Sequence, residues 1–153
     1  MESVEPHVTA SSSRGSGSRN VCFTTTAKES IGTEGWLIDS GSSMHMTGTI
    51  EQLKDVVPCK KGVFLADGKM VSVRATGTCE FTKRGVTGEK IDVKLKNVFY
   101  VPGLAANVIS VSRMVDAGYD ISFGHERCTI LDGVQAVFVG ERRGEGYWIQ
   151  EEL

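Results

Sequence analysis

Residues 36–48 read Trp36-Leu37-Ile38-Asp39-Ser40-Gly41-Ser42-Ser43-Met44-His45-Met46-Thr47-Gly48. Trp36, Leu37 and Ile38 are bulky and β-prone, which predicts a short buried strand. Ser40, Gly41, Ser42 and Ser43 are turn formers, so the chain has to reverse directly after the strand. Asp39 stands at the junction, where a buried strand delivers a carboxylate into a tight loop. A charge there is costly unless it is paired, hydrogen-bonded or shares a proton. Asp-Ser-Gly is a common turn tripeptide and by itself implies a turn. The setting adds to it: an apolar run precedes, small residues follow, and Met44 and Met46 lead back to apolar surroundings.

This is the local pattern of an acid-peptidase active-site loop. A carboxylate on a rigid loop backed by a strand can share one proton with a second carboxylate and activate a water. The Ser40 hydroxyl can brace an opposing loop, and Gly41 leaves backbone N–H groups open to the carboxylate. The chemistry needs two carboxylates, and the chain carries one such loop. Asp67-Gly68 and Asp132-Gly133 do not combine a preceding apolar run with a Ser or Thr between Asp and Gly. The site would therefore be built from two copies of Asp39 across a two-fold axis, which predicts a homodimer.

Length, at 153 residues, suits one domain with tails. The net charge of −2 makes no electrostatic case for nucleic acid or a membrane surface. Abundant glycine and frequent β-branched residues favour an all-β domain with many turns. No apolar run approaches membrane-spanning length and no signal-peptide core opens the chain, so the expected setting is soluble and cytoplasmic. The four cysteines, Cys22, Cys59, Cys79 and Cys128, form no Cys-x-x-Cys pair and have no histidine at zinc-ligand spacing. They read as structural thiols, with no metal and no cofactor.

Residues 10–20 are almost entirely Ser, Gly and Arg and predict disorder, so 1–34 reads as a linker. A domain over 35–131 follows, then a C-terminal hairpin or extension over 132–153. Strands are expected at 21–26, 63–65, 70–73, 76–81, 90–95, 98–101, 119–123, 127–131, 136–139 and 147–149. The stretch 50–57 shows no period and reads as a loop that includes a helical turn. Ala66, Asp67, Gly68 and Lys69 form a hairpin tip, with Asp-Gly suiting a type I′ turn. Ser110 is a good N-cap for one short helix over 111–117, closed by Gly118.

Four motifs in this order match a known family: residues 36–47, then Val63-Phe64-Leu65-Ala66-Asp67-Gly68-Lys69, then Asn97-Val98-Phe99-Tyr100-Val101-Pro102-Gly103-Leu104, then Asn107-Val108-Ile109-Ser110-Val111-Ser112-Arg113-Met114. The chain resembles the retropepsin-like aspartic protease domain of copia-type (Pseudoviridae) retrotransposon Gag-Pol polyproteins, over residues 35–123. The resemblance implies an all-β acid-protease barrel protomer with one short helix and an active site formed across a homodimer. It implies a catalytic Asp39, with Ser40 and Gly41 in its loop. Ala66, Asp67, Gly68 and Lys69 would form the flap over a polypeptide substrate, the element's own polyprotein. The implied setting is the cytoplasm, including virus-like particles.

The chain departs from the wider pattern at Ser40, Ser42 and Ser110, where many retropepsins have Thr, Ala and Gly. No Cys/His zinc knuckle is present, so direct nucleic-acid binding is not carried over. Residues 144–149 resemble the start of the pre-integrase region. His45 reads as a structural histidine. The competing reading is a domesticated, non-catalytic module of the same fold that binds peptides or serves assembly.

Overall fold

The structure is a computed structural model and describes residues 7–8, 21–22 and 35–150. The expected disorder over 10–20 lies outside the described residues. Along the chain run β1 (His7–Val8), β2 (Val21–Cys22), β3 (Trp36–Asp39), β4 (Met46–Thr47), β5 (Lys54–Leu65), β6 (Met70–Arg84) and β7 (Lys90–Tyr100). Then come β8 (Asn107–Ser110), helix α1 (Val111–Asp116), β9 (Tyr119–Phe123), β10 (Arg127–Asp132), β11 (Gln135–Arg143) and β12 (Gly146–Ile149). All strands join one sheet in the order β2-β5-β6-β7-β4-β8-β3-β12-β11-β10-β9, with β1 beside β7. The fold is the all-β, barrel-like one expected, with a single short α-helix among the described residues. No helix there is long and apolar enough to cross a membrane.

Two apolar cores lie on opposite faces of the strands. Trp36, Ile38, Leu95, Val98, Ile109, Met114, Phe138 and Ile149 belong to the first. Met44, Met46, Val63, Val73, Phe99, Val101 and Val108 form the second. Successive residues on one strand thus serve different cores, because side chains alternate across a strand. Val98 and Phe99 do so on β7, and Val108 and Ile109 on β8. That explains why 98–101 is apolar without alternation: both faces of this stretch are covered.

Several sequence expectations are corrected. The strands at 90–95 and 98–101 are one strand. Gly77 pairs with Val98 and Cys79 with Leu95, so Thr78 alone faces Lys96 and Asn97. This is a β-bulge, with Asn97 at a φ of +56°. The extra residue returns Val98 to the face of Ile91, Val93 and Leu95, a parity change that a period-two reading interprets as a break. Residues 50–57 hold the expected helical turn, but a strand takes the place of the loop after it. A 3₁₀ turn spans Ile50–Gln52, and β5 begins at Lys54. Register shifts between Lys54 and Val57 and between Pro58 and Lys61 erase the alternation there.

The hairpin tip is not a type I′ turn. That turn needs positive φ at both central residues, and here only Gly68 has it, at +86°. The Gly68 N–H donates to the Leu65 carbonyl at 3.0 Å and the Leu65 N–H to the Lys69 carbonyl at 2.8 Å. The result is a four-residue turn closed by a left-handed glycine, the form taken by longer hairpin loops.

At the other end, β12 pairs antiparallel with β3, setting Trp148 against Leu37. Phe138 and Ile149 enter the first core beside Trp36. Residues after 132 are therefore continuous with the sheet that carries Asp39. That strand has β8 on one side and β12 on the other, so both its edges are satisfied.

Candidate active site

The Asp39 loop is the place where the chain changes cores. Trp36 and Ile38 anchor β3 in the first core, and Met44 and Met46 anchor the return in the second. Only residues 39–43 lie between, so both ends of the loop are fixed by apolar burial. Trp36 also stacks on Phe81 with ring centroids 5.9 Å apart. Asp39 is half-buried, at the last position of β3. The Gly41 N–H donates to its Oδ1 at 2.8 Å, which fits a loop that presents backbone donors to a carboxylate. Ser40 is exposed.

The strand beside β3 supplies the rest. β8 runs parallel to β3 in a register that sets Ser110 opposite Asp39. Ser110 is fully buried, and three of its hydrogen bonds hold the loop and the helix. Its Oγ donates to the Ser42 carbonyl at 2.7 Å. The same Oγ accepts from the Arg113 N–H at 3.2 Å, as the N-cap of α1. Its backbone N–H donates to His45 Nδ1 at 3.0 Å. Two further bonds tighten the loop: the Ser42 hydroxyl donates to the Met44 carbonyl at 2.7 Å, and Arg113 Nε to the Ser43 carbonyl at 3.2 Å. Asn107 ties the two ends of the stretch, accepting from Thr47 Oγ1 at 2.6 Å and donating to the Gly35 carbonyl at 3.3 Å.

Among the described residues, the buried polar side chains are Ser42, His45, Thr47 and Ser110. Ser42, His45 and Ser110 are linked through hydrogen bonds of Ser110, and Thr47 bonds separately to Asn107. Buried polar groups are mostly hydrogen-bonded, and three of these four lie in or beside the loop that carries Asp39. His45 Nδ1 accepts a bond, so its ring proton sits on Nε2. Burial, with the Arg113 guanidinium adding to it, pushes the His45 pKa down to about 3. The ring is neutral at ordinary pH.

The hairpin residues Ala66, Asp67, Gly68 and Lys69 are all exposed. Asp67 Oδ1 accepts from the Lys69 N–H at 2.9 Å, a local bond within the turn. The base of this hairpin does reach the site's surroundings, because Val63, Leu65, Val71 and Val73 share the second core with Met44 and Met46. The tip and the Asp39 loop are thus mounted on one packed unit. A shallow depression lined by His125, Arg127, Glu141 and Arg142 lies elsewhere, and Arg142 there donates to the Gly144 and His125 carbonyls.

No trio of His, Cys, Asp or Glu among the described residues is placed to hold a metal ion. Cys59, Cys79 and Cys128 are free thiols, the last two buried. Sequence reasoning missed the structural parts of Asn107 and Arg113 and the bond from Ser110 to His45. The first two lie inside a quoted motif, but no spacing rule joins residues so far apart in the chain.

Comparisons with known proteins show the family. The family described as Pol polyprotein, beta-barrel domain matches residues 36–119, the span from the start of β3 to the start of β9. The chain is 32% identical over 91 residues to the retrovirus-related Pol polyprotein from transposon RE1 of Arabidopsis thaliana, covering 58% of this chain and 6% of that protein. It is 33% identical over 81 residues to the corresponding polyprotein from transposon RE2 of the same plant, covering 52% of this chain and 5% of that protein. The match is thus to a small fraction of each relative's length. No solved structure gives a significant match. The chain belongs to the Pol polyprotein beta-barrel domain family and is homologous to a region of retrotransposon Pol polyproteins.

Proposed function

We propose that the chain is an aspartic endopeptidase whose site forms when two copies bring their Asp39 loops together. The observation that carries this reading is the concentration of buried polar bonds around a single half-buried carboxylate. A simple turn at a strand end does not need a buried serine from 65 to 68 residues further along the chain to bond both the Ser42 carbonyl and the buried ring of His45. A catalytic carboxylate does, because a small displacement of a reacting group is costly in rate. Homology to retrotransposon Pol polyproteins makes a polyprotein the natural substrate class.

In this reading the two Asp39 carboxylates share one proton, since close like charges do not both ionise cheaply. The ionised carboxylate takes a proton from a water as its oxygen attacks the scissile carbonyl carbon. The protonated partner donates to the carbonyl oxygen and stabilises the tetrahedral species. Collapse of that species breaks the C–N bond, with a proton returned to the leaving amine. Ser40, exposed in the single chain, braces the partner's loop. The Ala66–Asp67–Gly68–Lys69 tip closes over the extended peptide and bonds its backbone.

The test is cleavage of a randomised peptide library at mildly acidic pH by wild type and by Asp39→Asn, with sedimentation of both. Cleavage by a dimeric wild type and none by the variant is expected. Binding of peptides without cleavage would favour the non-catalytic module instead, and equal cleavage by the variant would remove Asp39 from the chemistry.

A further inference from the structure

We infer that His45 and Ser110 are positioning residues for Asp39, clamping the far side of its loop to the strand that lies beside it. The inference rests on the peptidase reading for its catalytic consequence, but the clamp itself can be tested without it. Ser110 is the register partner of Asp39 across the β3–β8 pair. From that one position the chain reaches forward to two points of the loop. The Ser110 hydroxyl holds the Ser42 carbonyl and its backbone N–H holds the His45 ring. The stretch that follows Asp39 is thereby pinned to β8 at Ser42 and at His45. The Gly41 N–H is left facing Asp39 Oδ1.

The choice of histidine at this position is informative. The side chain is fully buried, and its Nε2 has no protein partner. Burying an unpaired donor is unfavourable, and a leucine or methionine would fill similar volume without that cost. What the ring supplies that an apolar residue cannot is an acceptor at Nδ1, 3.0 Å from the Ser110 backbone N–H. Burial and the Arg113 charge keep that nitrogen unprotonated, with a pKa of about 3. The acceptor therefore persists at the mildly acidic pH at which a carboxylate pair works. Ser110 adds a hydroxyl that bonds in two directions, so the loop and the first turn of α1 are fixed by the same atom.

The experiment compares His45→Leu, His45→Asn and Ser110→Ala in the full chain. Asn places an amide oxygen close to where Nδ1 sits, so it restores the acceptor, whereas Leu restores only volume. Two readouts are taken: peptide-cleavage kinetics, and amide hydrogen exchange at Gly41 and Ser43. His45→Leu is expected to lower kcat by about 10-fold to 100-fold through misplacement of the carboxylate. KM should stay nearly unchanged, exchange at Gly41 and Ser43 should speed up, and His45→Asn should recover most of both. Ser110→Ala, which keeps the backbone N–H, should act in the same direction but less. If His45→Leu does not fold, Ser110→Ala carries the comparison, and unaltered exchange and kcat in it overturn the proposal. Equal impairment in His45→Leu and His45→Asn also overturns it, since volume alone would then be at issue. If wild type cleaves nothing while exchange still follows the presence of an acceptor at position 45, the clamp stands and the peptidase reading fails.

Discussion

The Asp39 loop and the Asp67 hairpin tip are both short polar turns that follow apolar strand residues. They are held in opposite ways. The tip at Ala66, Asp67, Gly68 and Lys69 is exposed, and its bonds close within the turn. The Asp39 loop is held by groups 65 to 70 residues away, through Ser110 to Ser42 and His45 and through Arg113 to Ser43. A local turn can open and close without disturbing anything else, which suits a segment that admits a substrate. A loop locked by distant buried partners cannot move without breaking the core, which suits a segment that must hold a carboxylate still.

The first way to sharpen this contrast is to change the reacting group alone. Asp39→Asn preserves the shape of the loop and should lower peptide hydrolysis by at least about 10²-fold. Its thermal melt should stay close to that of wild type, which circular dichroism would show. The loop's value would then lie in chemistry while its stability lies in its partners.

A second way is to titrate the partner. The folded-state pKa of His45 is depressed to about 3 from the ordinary 6.5. The unfolded chain therefore binds a proton at this residue that the folded chain refuses, throughout the window between those values. Stability is full above about pH 6.5, falls as pH drops, and stops falling from this cause below about 3, at a limiting slope of about 1.4 kcal/mol per pH unit. Urea unfolding of wild type and His45→Asn at several pH values would isolate it. The stability difference between the two should shift in favour of the variant on acidification. A difference independent of pH would show that the ring takes up its proton at the same pH in the folded and unfolded chains.

A smaller effect is expected at Ser110. Ser110→Ala removes the cap of α1 and leaves the Ser42 carbonyl without its buried donor, at a cost of about 1–2 kcal/mol. The smallest effect belongs to the hairpin. Gly68→Ala forces an alanine to φ +86° with no steric neighbour within 4 Å, so its cost is conformational, about 1 kcal/mol. Chemical denaturation would rank the two. A Gly68→Ala change more damaging than Ser110→Ala would break the distinction between a local and a locked turn.

The sequence made the local half of this picture legible. The buried strand leading to Asp39, the serine cap and short helix after Ser110, and the hairpin at Asp67 all follow from short-range rules. So does the structural assignment of His45, which the burial of its ring bears out. The bulge at Asn97 was not legible, because an extra residue in a strand looks like a break in alternation. The irregular start of β5 was hidden for the same reason. The parallel pairing of β3 with β8 was also hidden, since no pattern in residues 36–39 names residues 107–110 as their neighbour. The network around Asp39 depends on that pairing and became visible only with it.

The most direct test of the central claim, that one site is made from two Asp39 loops, is a mixing experiment. Increasing amounts of Asp39→Asn chain are added to a fixed total concentration and peptide cleavage is followed after exchange of partners. The rate should fall with the square of the wild-type fraction, because only pairs with two intact carboxylates can share the proton. A rate that falls in simple proportion to the wild-type fraction would mean that each chain acts alone, and would contradict the account.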